Sequence, residues 1–361
     1  MEPLNPVLTR EIVLALNSGS SSLKFGLYDV GPTGVVQLVA GAVEAMHFQD
    51  RLFEKIEAAL ADAKAPVPTA IGHRIVHGGA KLRRHLLIDD EVVVRLKEAV
   101  AFAPLHGPAS LALIRLAAAH YPALPQVACF DTVFHTTLPE IAYTLPVPRA
   151  LSSEGVRRYG FHGLSCASIV RQLSDELPDR LIIAHLGNGA SVTSVKSGRS
   201  IDTSMGLTPT GGIVMASRTG DLDPGVLLYL VRKKGLDGAA LEALVDLESG
   251  LLGISGISSD MRALHLAVAA HPAAQLAINI FCYSVRKQIG AMAAVLGGLD
   301  MLVFTGGIGE NDAVVRGLIL GDLRWIGDFS VRVIASREDE QIARDTHMVL
   351  TNVDRASGFA D

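Results

Sequence analysis

One local pattern occurs twice in this chain, and that repetition limits the possible folds more than any other feature. Residues 11–16 (EIVLAL) form a short apolar run of strand character that enters the polar turn Asn17-Ser18-Gly19-Ser20-Ser21-Ser22, after which residues 23–30 (LKFGLYDV) alternate like a second strand. Far downstream, residues 181–186 (LIIAHL) run into Gly187-Asn188-Gly189-Ala190-Ser191 and on toward Lys196, which stands where Lys24 stands in the first copy. A duplicated strand–turn–strand unit predicts two similar α/β domains facing one another, with a phosphate-bearing ligand held between the turns. Glycines let such turns bend sharply and expose backbone N–H groups, which with Asn188 and Ser191 can cradle an anion. A surface hairpin with an incidental Gly-Asn-Gly turn is the alternative for either copy alone. Neither turn is a P-loop or a dinucleotide fingerprint, because G-x-x-x-x-G-K-[ST] is absent and the glycine spacing does not fit G-x-G-x-x-G.

The chain of 361 residues exceeds the usual single-domain size, so two domains and a substantial core are expected. With 49% apolar residues, 19% charged residues and a net charge of −5, there is no basic patch of the kind nucleic acid requires. The N-terminal MEPLNPVLTR has no hydrophobic core and is not a signal peptide, and no apolar stretch has the length of a membrane span. Three widely spaced cysteines, Cys129, Cys166 and Cys282, fit a reducing cytoplasm better than a disulfide framework. Cys166 follows His162 by one helical turn, yet no third residue that would orient a thiol nucleophile is evident.

Between the two copies, residues 51–64 read as an amphipathic helix stopped by Pro66 and Pro68, and 71–79 (IGHRIVHGG) as a strand closing on a glycine turn. Arg74 inside that apolar strand requires an anion, either a ligand or an internal carboxylate. Helices are expected over 91–102 and 109–120, and a strand over 127–130 places Asp131 where α/β sheets usually bind ligands. Residues 143–149, with two prolines, read as the crossover between domains. Beyond it, His162 sits close to the start of a helix over 165–173. Further helices are expected over 224–233, 239–245 and 273–296, the last apolar on all sides and therefore buried. Residues 251–262 read as a glycine-rich connection, 301–304 as a strand ending in Thr305-Gly306-Gly307-Ile308-Gly309-Glu310-Asn311, and 337–340 as a solvated charge run before a helix-like 341–345. Arg218-Thr219-Gly220-Asp221 places a charged fork beside small residues, where a substrate can come close.

Eight segments now stand in order along the chain: Asn17–Lys24 with Phe25-Gly26, GHRIVHGG, FDTVFH, RYGFHGLS, HLGNGAS, SRTGDLDP, LLGISGISSDMR and FTGGIGEN. Together they resemble the acetate kinase family over nearly the whole chain. The resemblance implies an α/β protein with the two-domain actin/hexokinase/Hsp70-like (ASKHA) fold, a duplicated βββαβαβα core and an interdomain cleft. It implies domain I over 1–147, completed by 338–361, and a nucleotide-binding domain II over 148–337. It also implies a cytoplasmic homodimer that phosphorylates acetate, or another short carboxylate, with ATP, giving ADP and using Mg2+, with Mn2+ as an alternative metal.

Carried over by motif, Asn17 resembles the magnesium-associated asparagine, Glu338 a second metal-site acid and Lys24 an ATP-contacting lysine. Arg74 resembles the arginine that binds the substrate carboxylate, Asp131 the active-site acid, and His162 with Arg218 the pair that stabilises the transferring phosphoryl group. The nucleotide segments correspond to His185, Leu186, Gly187, Asn188 and Gly189, to Asp260, Met261 and Arg262, and to Gly306, Gly307, Ile308, Gly309 and Glu310. Val76, Leu105, Phe161 and Pro209 correspond to the lining of the pocket for the substrate's alkyl end, and His106 to another site histidine. Gly107 stands where the family usually has asparagine, and the segment between Asn17 and Arg74 is shorter than usual.

Phosphoryl transfer needs in-line oxygens and compensation of charge on the equatorial oxygens. Arg218, His162 and a metal can supply that compensation. A carboxylate substrate is already deprotonated at neutral pH, so Asp131 has no proton to remove and is expected to orient Arg218 or the metal shell. Val76, two positions from Arg74, is expected on the same side of its strand. A zinc hydrolase built on His73, His77, His106, His135 and His162 conflicts with the glycines around the first pair. An actin-like scaffold or sugar-responsive regulator has no need for Arg74, His162 and Arg218 together. Propionate or butyrate kinase is the rival within the enzyme class.

Overall fold

In the computed structural model, the described residues are 10–19, 22–32, 34–44 and 51–357. Ser20 and Ser21 of the first turn, residues 1–9 and the last four residues of the expected domain I completion lie outside them. The chain divides into two compact units, residues 1–133 with 337–361, and residues 134–336.

The first unit is built on a six-stranded sheet of order β3-β2-β1-β4-β6-β5, comprising β1 (Glu11–Ser18), β2 (Ser22–Gly31), β3 (Gly34–Glu44), β4 (Ala70–Ile75), β5 (Leu86–Leu87) and β6 (Gln126–Phe130). β1 runs antiparallel to β2 and β2 to β3, whereas β4 lies parallel to β1 and to β6. The second unit repeats this arrangement with β7 (Arg180–Leu186), β8 (Ala190–Lys196), β9 (Arg199–Thr203), β10 (Met301–Thr305) and β11 (Ser330–Val333) in the order β11-β10-β7-β8-β9. Its first three strands form an antiparallel meander, and β10 lies parallel to both β7 and β11. The local repeat in the sequence is thus the visible part of a duplicated sheet topology, that of the actin/hexokinase/Hsp70-like class. β3, β9 and β11 were not legible in the sequence, being small-residue, polar or exposed strands whose partners define them.

The first and central strands are buried on both faces, with Val13 to Leu16 and Leu181 to Ile183 inaccessible to solvent, as their unbroken apolar runs require. The helix Glu338–Ser357 packs over β1, β2, β4 and β6. It approaches β4 so closely that a Cβ on Gly72 would collide with Thr346 Oγ1 and lie 2.7 Å from Ile342 Cγ2. Only glycine at position 72 admits this helix.

Several expectations need correction. Residues 337–340 are not a solvated run: Glu338 and Asp339 open the 338–357 helix and hydrogen-bond Asn17, a partner distant in sequence. Residues 251–262 contain two helical segments, Gly250–Ser255 and the start of Met261–Ala267, separated by a turn at the left-handed Gly256. The helix Pro272–Leu296 buries one face, including Ile278, Phe281, Val285, Ile289 and Met292, but leaves Leu276, Tyr283 and Val295 at least half exposed. Its apolar residues exceed what one sheet face can cover. Residues 143–149 belong wholly to the second unit, where Arg158 N–H bonds Tyr143 O and the Arg157 guanidinium lies 3.5 Å from the Tyr143 ring centroid.

Candidate active site

In the first unit, neighbouring parallel strands β1, β4 and β6 carry their polar residues at or just past their C-terminal ends, where open α/β sheets bind ligands. Asn17 lies in β1 next to the Leu16–His73 pair, Arg74 follows in β4, and Asp131 comes directly after β6 with its N–H bonded to Ile75 O. Arg74 donates to Asp131 from Nε (3.1 and 3.2 Å) and Nη2 (2.7 Å), and from Nη1 to Asn17 Oδ1 at 3.0 Å. Asn17 Nδ2 in turn donates to Glu338 Oε2 at 3.1 Å and Asp339 Oδ1 at 2.7 Å. Asp131 therefore orients Arg74, and the internal arginine–carboxylate pair that the sequence left open is present. Two N–H groups of the guanidinium fork remain beyond these bonds.

Three carboxylates surround this one guanidinium, while Lys24 stands opposite Asn17 on β2. Burial disfavours the charge on Arg74, but Asp131, Glu338 and Asp339 hold its pKa above the ordinary value. Burial raises the carboxyl of Asp131, which Arg74 opposes and Glu338 reinforces. Burial likewise raises Asp339, with the Asn17 hydrogen bond opposing and Glu338 adding repulsion. The cluster carries more negative than positive charge, which suits a hard divalent cation bound through one or two carboxylates and ligand phosphates.

Val76 comes directly after β4, which ends at Ile75, and lines a cavity of about 10 Å3 with Ala99, Val100, Ala103 and Ser110. Leu105 is 43% exposed, and His106 is the N-cap residue of the helix Gly107–His120, without a side-chain cap bond.

In the second unit, two residues converge on the Gly187–Gly189 turn. A Cβ on Gly189 would lie 3.2 Å from His162 Nε2 and 3.5 Å from Arg218 Nη1. His162 precedes the helix Gly163–Leu173 in the left-handed conformation, φ 57°, a costly backbone for a non-glycine residue that concentrates at functional sites. Its Nδ1 lies 2.9 Å from Ser191 Oγ, and its ring stacks on His185 with centroids 4.2 Å apart. His185 Nδ1 is held in the same way by Ser165 Oγ at 2.8 Å. Just upstream, His135 Nε2 bonds the carbonyl of the fully buried Phe161, and burial lowers the His135 pKa to about 4. Arg218 Nη1 donates to Pro209 O at 3.4 Å, and its Nε lies 3.9 Å from Asp246 Oδ1. Ser165 and Asp246 escaped sequence reasoning, because single polar residues without a motif carry no signal until the fold supplies their partners.

The two glycine turns of this unit pack backbone to backbone. Gly306 has φ +78°, and a Cβ there would lie 2.7 Å from Leu186 O and 3.1 Å from His185 Nε2, while Gly187 faces Gly307 N. Glycine at 306 is required by both its conformation and this close approach. Gly307, Ile308 and Gly309 continue the short helix Gly306–Asn311. Glu310 is an internal cap, its Oε1 accepting from Gly306 N and Ser336 N at 3.0 Å each. Asn188 O accepts from Ala216 N, and Asp260 caps the helix that begins at Met261 while pairing with the exposed Arg262 at 2.7 Å.

A duplicated sheet with half-buried arginines, paired carboxylates and glycine turns at its strand ends defines an α/β protein of the phosphate-handling kinase type. The Acetokinase family model matches residues 51–350, and the chain belongs to that family. The acetate kinase of Deinococcus radiodurans is 45% identical over 342 residues, covering 87% of this chain and 86% of that one. That of Shewanella loihica is 43% identical over 357 residues, covering 90% and 89%. Among solved structures, the acetate kinase of Porphyromonas gingivalis has a TM-score of 0.81 at 34% identity, and a propionate kinase from Francisella tularensis 0.84 at 35%. Both alignments cover 94% of this chain and all of the other. Among the described residues, no helix is long and apolar enough to cross a membrane.

Proposed function

We propose that the chain is an acetate kinase, catalysing the reversible ATP-dependent phosphorylation of acetate to acetyl phosphate and ADP by in-line transfer to a carboxylate oxygen. The observation that carries this reading is the convergence of His162 Nε2 and Arg218 Nη1 on the Gly187–Gly189 turn, within a chain of the acetokinase family. There they compensate charge on the transferring phosphoryl oxygens. Ser191 keeps the His162 ring turned toward that turn. Arg74, preset by Asp131, meets the substrate carboxylate with its remaining N–H groups. No general base acts on the substrate, which arrives deprotonated. The turns at 185–189 and 306–310 and the segment 260–262 bind the nucleotide.

Mg2+ is the metal of this reading, with Asn17 and Glu338 as its holders and Asp339 beside them; when bound it neutralises nucleotide phosphate charge. The paired carboxylates at Asn17 Nδ2 support that assignment. The protein acts in the cytoplasm, in keeping with three buried cysteines that form no disulfide. It works as a homodimer joined through residues 221–247, whose helices Pro224–Tyr229 and Gly238–Leu247 contain no buried residue although Leu228, Tyr229 and Leu247 are apolar and more than half exposed.

A coupled assay for ADP formation with acetate, propionate and butyrate in parallel tests the substrate. Acetate is expected to give the highest kcat/KM, with propionate lower by the 1–3 kcal/mol typical of one methylene. Propionate kinase is the second reading, favoured by the likeness to the Francisella structure; an outright preference for propionate establishes it and refutes the first.

A further inference from the structure

The left-handed backbone of His162 is a local cost that the surrounding structure must sustain. On its C-terminal side, His162 O accepts from Cys166 N at 2.9 Å in the first turn of the 163–173 helix, and its ring is held at Nδ1 by Ser191. On its N-terminal side stands the planar peptide that joins Phe161 to His162. Rotation of that plane about the N–Cα bond of His162 is the residue's φ angle. With the helix fixed beyond, a group that fixes the Phe161 carbonyl therefore also fixes φ at His162.

His135, in the short helical turn Val133–Thr137, is such a group. Its Nε2 lies 2.9 Å from Phe161 O and its Nδ1 2.9 Å from Ser200 Oγ on β9. A carbonyl can only accept, so Nε2 carries the proton, and the neutral ring that burial favours presents a lone pair on Nδ1 to the Ser200 hydroxyl. Thr137 Oγ1 donates to Ser200 O at 2.8 Å, which ties β9 back to the turn that carries His135. The ring also lies against the residue before Phe161. Gly160 has φ +75°, and a Cβ there would sit 2.7 Å from His135 Cγ and 2.5 Å from Thr203 Cγ2. One imidazole thus braces the backbone of Gly160 by contact and the carbonyl of Phe161 by a directional bond, immediately before His162. His135 and Phe161 are both buried, so removing the donor leaves a carbonyl without water to replace it.

We infer that His135 is a positioning residue for phosphoryl transfer: its Nε2–H holds the 161–162 peptide so that His162 keeps the left-handed backbone from which its own Nε2 faces the Gly187–Gly189 turn. The role rests on the kinase reading proposed above. Replacing His135 by Phe keeps a ring but removes both bonds, and replacing it by Gln returns an N–H donor near the position of Nε2. In His135→Phe, kcat for acetate-dependent ADP formation is expected to fall about 100-fold, the loss typical of a misplacement of about 1 Å. The KM values for acetate and ATP should stay unchanged, and His135→Gln should recover most of the rate. In protein labelled at histidine, the 13Cα and 13Cβ shifts of His162 should report a left-handed backbone in the native protein and in His135→Gln, and its loss in His135→Phe. In the native protein, 15N NMR should show His135 protonated on Nε2 and not on Nδ1. The opposite tautomer overturns the role without recourse to any variant. A native kcat or native His162 shifts in His135→Phe overturn it too, as does His135→Gln turning over no faster than His135→Phe while both melt at the native temperature. An absence of acetate-dependent ADP formation by the native protein would instead overturn the kinase reading, and the His162 shifts would still decide whether His135 holds that backbone.

Discussion

Replacing Gly189 by Ala tests the centre of the second unit with a single methyl group. Gly189 does not have a positive φ, so its backbone accepts alanine. The new Cβ would sit 3.2 Å from His162 Nε2 and 3.5 Å from Arg218 Nη1, at or inside the 3.5–4.0 Å of comfortable contact. One or both side chains must withdraw by a few tenths of an ångström, and the methyl occupies the space where the proposed phosphoryl oxygens bond. Losing one such donor typically costs about 2.7–4 kcal/mol of transition-state stabilisation, and a misplacement of about 1 Å alone costs roughly 100-fold. We expect kcat to fall by about 10² to 10³-fold. Folding stability should hold or rise by about 0.4–1 kcal/mol, because alanine restricts the unfolded chain. Steady-state kinetics of acetate-dependent ADP formation beside urea unfolding measure both. A Gly189→Ala enzyme that is stable and keeps a near-native kcat refutes the convergence argument.

Arg74→Ala should chiefly raise the KM for the carboxylate, whereas Arg218→Ala should chiefly lower kcat, since one cation meets charge present in the ground state and the other charge at the transferring group; an Arg218→Ala variant with raised KM and native kcat contradicts its role. Gly72→Ala should lose about 1–3 kcal/mol through the clash with Ile342 and Thr346, seen as a lowered urea midpoint. His73, His85 and His135 all have pKa values lowered by burial from 6.5 to about 4, so the unfolded chain binds their protons first: their contribution to stability is intact above pH 6.5 and is lost as pH falls toward 4, at about 1.4 kcal/mol per pH unit for each. Urea titrations at pH 7, 6 and 5 check that slope, and a stability independent of pH over this range contradicts it. The double variant Leu228→Glu, Tyr229→Glu should convert a dimer into an active or inactive monomer by analytical ultracentrifugation, and a persistent dimer rules out residues 221–247 as the interface.

The sequence by itself determined the duplicated α/β plan and most of the motif residues, and the reason is local. A buried parallel strand must be an unbroken apolar run, and a tight turn at its end requires glycine, so EIVLAL with its turn and LIIAHL with its turn were readable without coordinates. Arg74 announced an anion for a similar reason, since a guanidinium in an apolar strand cannot remain unpaired. Which anion it meets was decided by tertiary structure: parallel pairing of β4 with β6 brings Asp131 to it, and the 338–357 helix adds Glu338 and Asp339 from the far end of the chain. That same packing turned an apparent surface run of charge into part of the cluster. Ser165 matters only because folding sets it against His185, and Ser191, readable in its turn, gains His162 as a partner only in the fold. Backbone preferences and hydrophobic runs are written over a few consecutive residues, whereas a charge or a hydroxyl acquires its meaning from whatever distant group the fold places within about 3 Å of it.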